Sequence, residues 1–154
     1  MSNYNSVTPE FIDELKTLLG EKYVKTDADT LDRYKTDEEA DERCFHLPDV
    51  VVIPANAEEI AGVVKLCNKY LIPLTVRGGG TGIVDGAIAD KGGVVLLMER
   101  LNKIIELNKE GLYMVAQASH SIMPVAGTCR SMPVPSIPTT TRCASFGTNT
   151  TLWR

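Results

Sequence analysis

The run Val50-Val51-Val52-Ile53 does more than any other stretch to restrict what this chain can fold into. A continuous β-branched run has no polar alternate face, so it fits a strand covered on both sides and not the half-wet strand of an open antiparallel sheet. Pro54 ends it, because proline cannot donate to a ladder. The next stretch has the period of a helix. Asn56 is a capping residue with Glu59 three positions on, and Ile60, Val63, Val64, Cys67 and Leu71 recur at i, i+3, i+4, i+7 and i+11. Leu74-Thr75-Val76 resumes strand character after Pro73, and Val94-Val95-Leu96-Leu97-Met98 is a further buried run. Strand, helix and strand in this order predict a right-handed crossover between parallel strands.

Shorter signals flank this unit. Thr8 as N-cap, Pro9 at the first helical position and Glu10 in the first turn open a helix with Phe11, Ile12, Leu15, Leu18 and Leu19 on one side and Gly20 as its stop. A second helix is expected over 28–34. The acidic stretch Asp37-Glu38-Glu39-Ala40-Asp41-Glu42 follows and is expected to be a solvated connector. Segments 104–107 and 112–116, separated by Asn108-Lys109-Glu110-Gly111, predict a hairpin with a glycine-containing turn.

The chemistry concentrates in Arg77-Gly78-Gly79-Gly80-Thr81-Gly82-Ile83-Val84-Asp85-Gly86, which starts at the C-terminal end of a predicted parallel strand. Ligands bind at that end of strands in open α/β sheets. Glycines there permit positive φ and let backbone amides converge on an anion without a Cβ in the way. Thr81 adds a hydroxyl. A charge-assisted hydrogen bond contributes about 1.5–3 kcal/mol, so a few such bonds hold a pyrophosphate. A P-loop is excluded, because no Lys lies between Arg77 and Asp90. A dinucleotide fingerprint is excluded too, since Ile83 stands at its third glycine and the residues beyond lead to a strand, not a helix. On the residues alone, a glycine-rich surface turn with no ligand stays open as the competing reading.

Composition removes other classes. A chain of 154 residues is enough for one compact domain, and its formal net charge of −4 carries no nucleic-acid footprint. Its longest apolar runs have strand length, so no membrane span is expected, and the polar first eight residues lack a signal peptide. A cytoplasmic protein is the expectation. Cys44, Cys67, Cys129 and Cys143 stand 23, 62 and 14 residues apart, which fits neither a redox pair nor paired zinc ligands, and only His46 and His120 could assist. No metal site is assigned, and Cys67 is expected to be a buried small hydrophobe.

The sequence resembles the flavin-binding domain shared by the vanillyl-alcohol oxidase and para-cresol methylhydroxylase (PCMH-type) flavoproteins. It is most similar to the branch with the flavin subunit of glycolate oxidase and D-lactate dehydrogenases. The resemblance is carried by Pro48-Asp49-Val50-Val51-Val52-Ile53-Pro54, Glu58-Glu59-Ile60, Ile72-Pro73-Leu74-Thr75-Val76-Arg77-Gly78-Gly79-Gly80-Thr81-Gly82 and Leu101-Asn102-Lys103-Ile104, and covers residues 8–118. It implies an α+β fold: N-terminal helices, a small parallel β-α-β subdomain, and the start of a second, antiparallel subdomain, truncated. It also implies FAD as cofactor, with Arg77, Gly78, Gly79, Gly80, Thr81 and Gly82 at the pyrophosphate, Pro54 and Val76 along the adenosine, and Gly86 letting the chain turn back beneath the phosphates. Some relatives attach flavin through a loop histidine. Here that position is Thr81 and no histidine lies in the loop, so FAD is expected to be non-covalent. Asp85 stands where relatives often have a small residue, and its carboxylate is repulsive to a pyrophosphate unless it points away.

The expected division is an N-terminal helical segment at 1–47, a partial FAD-binding domain at 48–118 and an irregular tail at 119–154. All 20 acidic residues lie before the tail, whose only charged residues are Arg130, Arg142 and Arg154. The tail is expected to come from a frameshift or premature end in a longer reading frame, with a natural Pro/Ser/Thr linker as the competing origin. Translating the other two frames of the encoding DNA beyond codon 118 separates them; no Gly/Asn-rich continuation in either frame counts against the first. His120 and Cys129 are assigned no catalysis, having no predicted scaffold. The functional expectation is the FAD-binding portion of an oxidoreductase of 2-hydroxy acids, inactive as this piece, whose small 2-hydroxy acid substrate binds only in a full-length relative. The alternatives are a non-catalytic nucleotide- or anion-binding module and a non-functional truncated product.

Overall fold

The computed structural model describes residues 4–37, 42–80, 82, 84–108, 111, 113–119, 143–146 and 150–153. The chain divides into two units, residues 1–100 and 101–154.

In the first unit, helix α1 (Pro9–Leu19) starts where the Thr8 hydroxyl accepts from the Phe11 amide at 3.4 Å and stops at Gly20, whose φ of +88° suits glycine. Phe11, Leu15 and Leu19 are its buried stripe. A two-residue strand, β1 (Val24–Lys25), precedes the short helix α2 (Ala28–Asp32), which is capped by the Asp27 carboxylate and ends before the expected residue 34. Then come β2 (Val50–Val52), α3 (Ala57–Tyr70), β3 (Leu74–Arg77) and β4 (Val94–Leu97). The sheet order is β1-β2-β4-β3, with β4 parallel to both neighbours and β1 antiparallel to β2. The two strands joined by α3 therefore do not touch, and a strand from later in the chain fills the gap between them. All residues of β2 and β4 are buried, as their unbroken apolar runs require. Leu31, Tyr34 and Ile53 pack against a cluster of Val51, Ala89, Val95 and Leu97.

Helix α3 is capped as its sequence predicts. The Asn56 side chain accepts from the Glu59 amide at 2.8 Å, and Glu59 reaches back one residue further than a standard capping box, accepting from Ala55 N–H at 2.7 Å. Val63 and Cys67 are buried, whereas Leu71 leaves the apolar face. It adopts a left-handed φ of 54° as the C-cap and is 59% exposed, because the chain has already turned toward β3.

In the second unit, β5 (Ile104–Asn108) and β6 (Tyr113–Gln117) form the expected antiparallel hairpin, with a register slip between Ile104 and Glu106. The Asn108 side chain accepts from the Gly111 amide at 2.6 Å in the turn. Two strands stand in the stretch expected to be irregular, β7 (Cys143–Phe146) and β8 (Thr150–Trp153), giving a sheet of order β5-β6-β8-β7. They contain Phe, Trp and β-branched Thr, which favour strands; β7 pairs with β8, and β8 pairs with β6 far back in the chain, which local pattern cannot reveal. Parallel and antiparallel sheets with helices make the class α+β. Residues 38–41 of the acidic connector lie outside the described residues.

Candidate functional site

Because β2, β4 and β3 run parallel, their C-terminal ends share one sheet edge, which brings Pro54, the loop from Arg77 and Met98 to the same side. The Met98 amide donates to the Arg77 carbonyl at 3.0 Å, the last ladder bond before the loop departs. Beyond it, among the described residues, no backbone carbonyl accepts from the amides of Gly78, Gly79, Gly80 or Gly82. Backbone donors clustered at a strand end without carbonyl partners are suited to an anion.

Two features hold the loop in this form. Gly80 has a φ of +69°, which calls for glycine, and a Cβ built on it would stand 2.7 Å from Arg77 Cζ, so a side chain there would displace the guanidinium. The Arg77 side chain is buried beneath it. Its Nη1 donates to the Thr36 carbonyl at 2.7 Å, and its guanidinium carbon lies 5.5 Å from the Tyr34 ring centroid. Burial raises the Tyr34 phenol pKa, the Glu99 carboxylate raises it further, and Arg77 opposes both.

The remaining predicted positions are spread along the edge. Val76 is 51% exposed on β3, while Pro54 is fully buried at the end of β2, with β4 between the two strands. A Cβ on Gly82 would lie 3.6 Å from Asp37 Oδ2, and one on Gly86 would meet nothing within 4 Å, so that side of the loop is open. Thr81 lies outside the described residues, as do Ile83, His120 and Cys129. Asp85 has a left-handed φ of 58°, and its carbonyl accepts from the Ile88 amide at 3.2 Å in a turn. Its Oδ1 is buried with no hydrogen-bond partner among the described residues.

Two residues that the sequence does not flag, Arg100 and Tyr23, frame the Pro54 end together with the capping residue Glu59. Arg100 donates to the Ile53 carbonyl at 3.1 Å, stacks 3.7 Å from the Tyr23 ring centroid and lies 3.6 Å from the same Glu59 Oε2 that caps Ala55. An arginine just past an apolar strand was the available signal for this cluster, and it does not say which carbonyl the side chain reaches. Cys67 is 3% exposed, and burial raises its thiol to about 11, so it is no nucleophile. Among the described residues no group of three His, Cys, Asp or Glu side chains forms a metal cluster, and no helix is long and apolar enough to cross a membrane.

A family model described as FAD binding domain matches residues 48–130. The chain is 36% identical over 118 residues to a D-lactate dehydrogenase of Anaerostipes hadrus, covering 75% of this chain and 24% of that protein. It is 35% identical over 71 residues to the glycolate oxidase subunit GlcD of Bacillus subtilis (strain 168), covering 46% of this chain and 15% of that protein. Among solved structures, p-cresol methylhydroxylase with substrate bound superposes with a TM-score of 0.73 at 25% identity, over 92% of this chain and 28% of that one. The chain thus spans a quarter or less of the length of the D-lactate dehydrogenase and the glycolate oxidase subunit. With more than half of its residues matched by the model, the chain belongs to the FAD-binding domain family, whose cofactor is FAD.

Proposed function

We propose that this chain is the FAD-binding portion of an FAD-linked oxidoreductase of small 2-hydroxy acids, of the glycolate and D-lactate kind. The loop from Arg77 to Gly82 holds the pyrophosphate through its glycine amides and Thr81, without a covalent link, Gly86 lets the chain turn beneath the phosphates, and Pro54 and Val76 lie along the adenosine. The observation that carries this reading is the set of amides at Gly78, Gly79, Gly80 and Gly82 with no carbonyl acceptor among the described residues, at the C-terminal edge of parallel strands. The residues fit the cofactor on that ground: the donors are in place, and the space beside Gly86 is open. FAD supplies the acceptor for a hydride from the substrate carbon.

The protein's own contribution, in this reading, is binding and orientation. Val76 offers an exposed apolar side chain, and Pro54, being buried, acts through the backbone at the end of β2. The Arg100 and Glu59 contacts fix that backbone on both sides of Pro54. No base or substrate carboxylate clamp is assigned in this chain, so the 154 residues alone are expected to bind FAD and to turn over D-lactate or glycolate weakly or not at all.

The test is to mix the purified chain with FAD, desalt it and read flavin absorbance. Retained flavin supports the reading. Retention of ADP or pyrophosphate with no flavin would replace it with a non-catalytic anion-binding module, and reduction of bound flavin by D-lactate would overturn the expected inactivity.

A further inference from the structure

We infer that Arg77 is a positioning residue, which shapes the pyrophosphate loop from behind and ties it to the N-terminal segment without contacting the cofactor. The inference rests on the FAD-binding reading above. Its observations are the burial of the side chain, its 2.7 Å bond to the Thr36 carbonyl, its face on Tyr34 and its place under Gly80.

A guanidinium carries only donors, so it cannot accept from the Gly80 amide of the loop above it. On the Arg77 side that amide finds no partner, and it remains available to an anion on the other. The bond to Thr36 and the stack on Tyr34 fix the plane of the guanidinium, which a flexible ammonium would not do. Its charge, buried and poorly screened, then adds positive potential behind the donors. Gly80 is the counterpart on the loop, since any side chain there would occupy the guanidinium's space.

Tyr34 and Thr36 lie before residue 48, where the family match begins. Through Arg77, the segment after α2 becomes part of the FAD site although it donates no atom to it.

The experiment measures FAD affinity of the 154-residue chain by flavin fluorescence, across a salt series, for wild type, R77K, R77Q and Y34L. R77Q is expected to weaken FAD binding about tenfold or more and to flatten its salt dependence; R77K and Y34L are expected to weaken it a few-fold. Salt dependence is the reading that a merely structural arginine would not move. An R77Q chain with FAD affinity within twofold of wild type, or with the wild-type salt slope, overturns the inference. Where R77Q does not fold, the folded R77K and Y34L chains decide it: wild-type affinity in both overturns it. A wild-type chain that retains no flavin overturns the FAD-binding reading itself and this inference with it, which separates the two failures.

Discussion

Asp49 and Gly93 grip one another across the start of the parallel sheet: the Asp49 carboxylate accepts from the Gly93 amide at 2.7 Å, and the Asp49 amide donates to the Gly93 carbonyl at 2.9 Å. Gly93 also has a φ of +76°, and a Cβ on it would run into the Pro73 carbonyl and stand 2.6 Å from Pro73 Cγ. The two residues therefore set where β4 enters between β2 and β3. Gly93→Ala is expected to destabilise the chain by about 2 kcal/mol or more, through a strained φ and a clash with backbone. Asp49→Ala removes a charged acceptor from a backbone amide and is expected to cost about 1.5–3 kcal/mol, with Asp49→Asn costing less because it keeps an acceptor. Chemical denaturation of the three variants checks this order; a Gly93→Ala chain as stable as wild type would refute the account of that turn.

That junction shows which parts of the architecture were legible beforehand. The local signals were explicit: Thr8-Pro9 opened α1, Asn56 with Glu59 opened α3, and the unbroken apolar runs marked β2 and β4. The position of β4 between the strands that α3 connects was not, because pairing partners far apart in sequence leave no periodic trace. Strand β1 is two residues long and has no period at all. Leu71 continued the helical pattern in sequence yet ends the helix in a left-handed turn, since the geometry of the return to β3 outweighs its preference. At the candidate site, the glycines announced a loop for an anion. Which way the Arg77 side chain faces depends on Tyr34 and Thr36, some forty residues earlier in the chain, and no spacing rule links them to it.

The end of α3 is held to α1 by charge. Lys69 donates to Glu14 at 2.8 Å and the Tyr70 hydroxyl donates to Glu14 Oε1 at 2.6 Å, while the Phe11 and Tyr70 rings meet edge to face at 5.3 Å. The Lys69 bond, then the Tyr70 bond, lowers the Glu14 pKa below its ordinary 4.5, and the Glu14 bond raises the Lys69 pKa above its ordinary 10.5. A lowered carboxylate contributes stability that is present above its unfolded value and lost as pH falls through its folded one; a raised lysine contributes below its unfolded value and loses it as pH rises through its folded one. The difference in Tm between wild type and Glu14→Gln is therefore expected to be largest between 4.5 and 10.5 and to shrink on either side. It is also expected to be modest and to fall with salt, because the groups are solvent-accessible. A difference that grows below pH 4 would contradict the assignment.

Cys67 offers a probe of local opening. At a pKa of about 11 its thiol is ionised in roughly one molecule in a thousand at pH 8, and its 3% exposure blocks reagents as well. Alkylation of Cys67, followed by mass spectrometry of its peptide, is expected to be slow in buffer and to accelerate by orders of magnitude through the denaturation midpoint. Fast labelling in buffer would show that the buried face of α3 opens readily.

Asp85 combines two costs at one position, a left-handed φ of 58° on a residue with a side chain and a buried Oδ1 without a hydrogen-bond partner among the described residues. Asp85→Gly removes both and is expected to stabilise the chain by about 1 kcal/mol or more. Asp85→Asn separates the effects, because asparagine tolerates the same φ but carries no charge. If the carboxylate opposes a pyrophosphate on the neighbouring glycines, both variants bind FAD several-fold more tightly than wild type at low salt, and the gain fades as salt screens the repulsion. If instead the orphaned oxygen is kept to accept from a cofactor hydroxyl, Asp85→Gly gains stability but loses FAD affinity, and Asp85→Asn, which keeps a carbonyl acceptor, loses less. Melting curves with and without FAD distinguish the two cases, because the first makes stability and affinity rise together and the second sets them against each other.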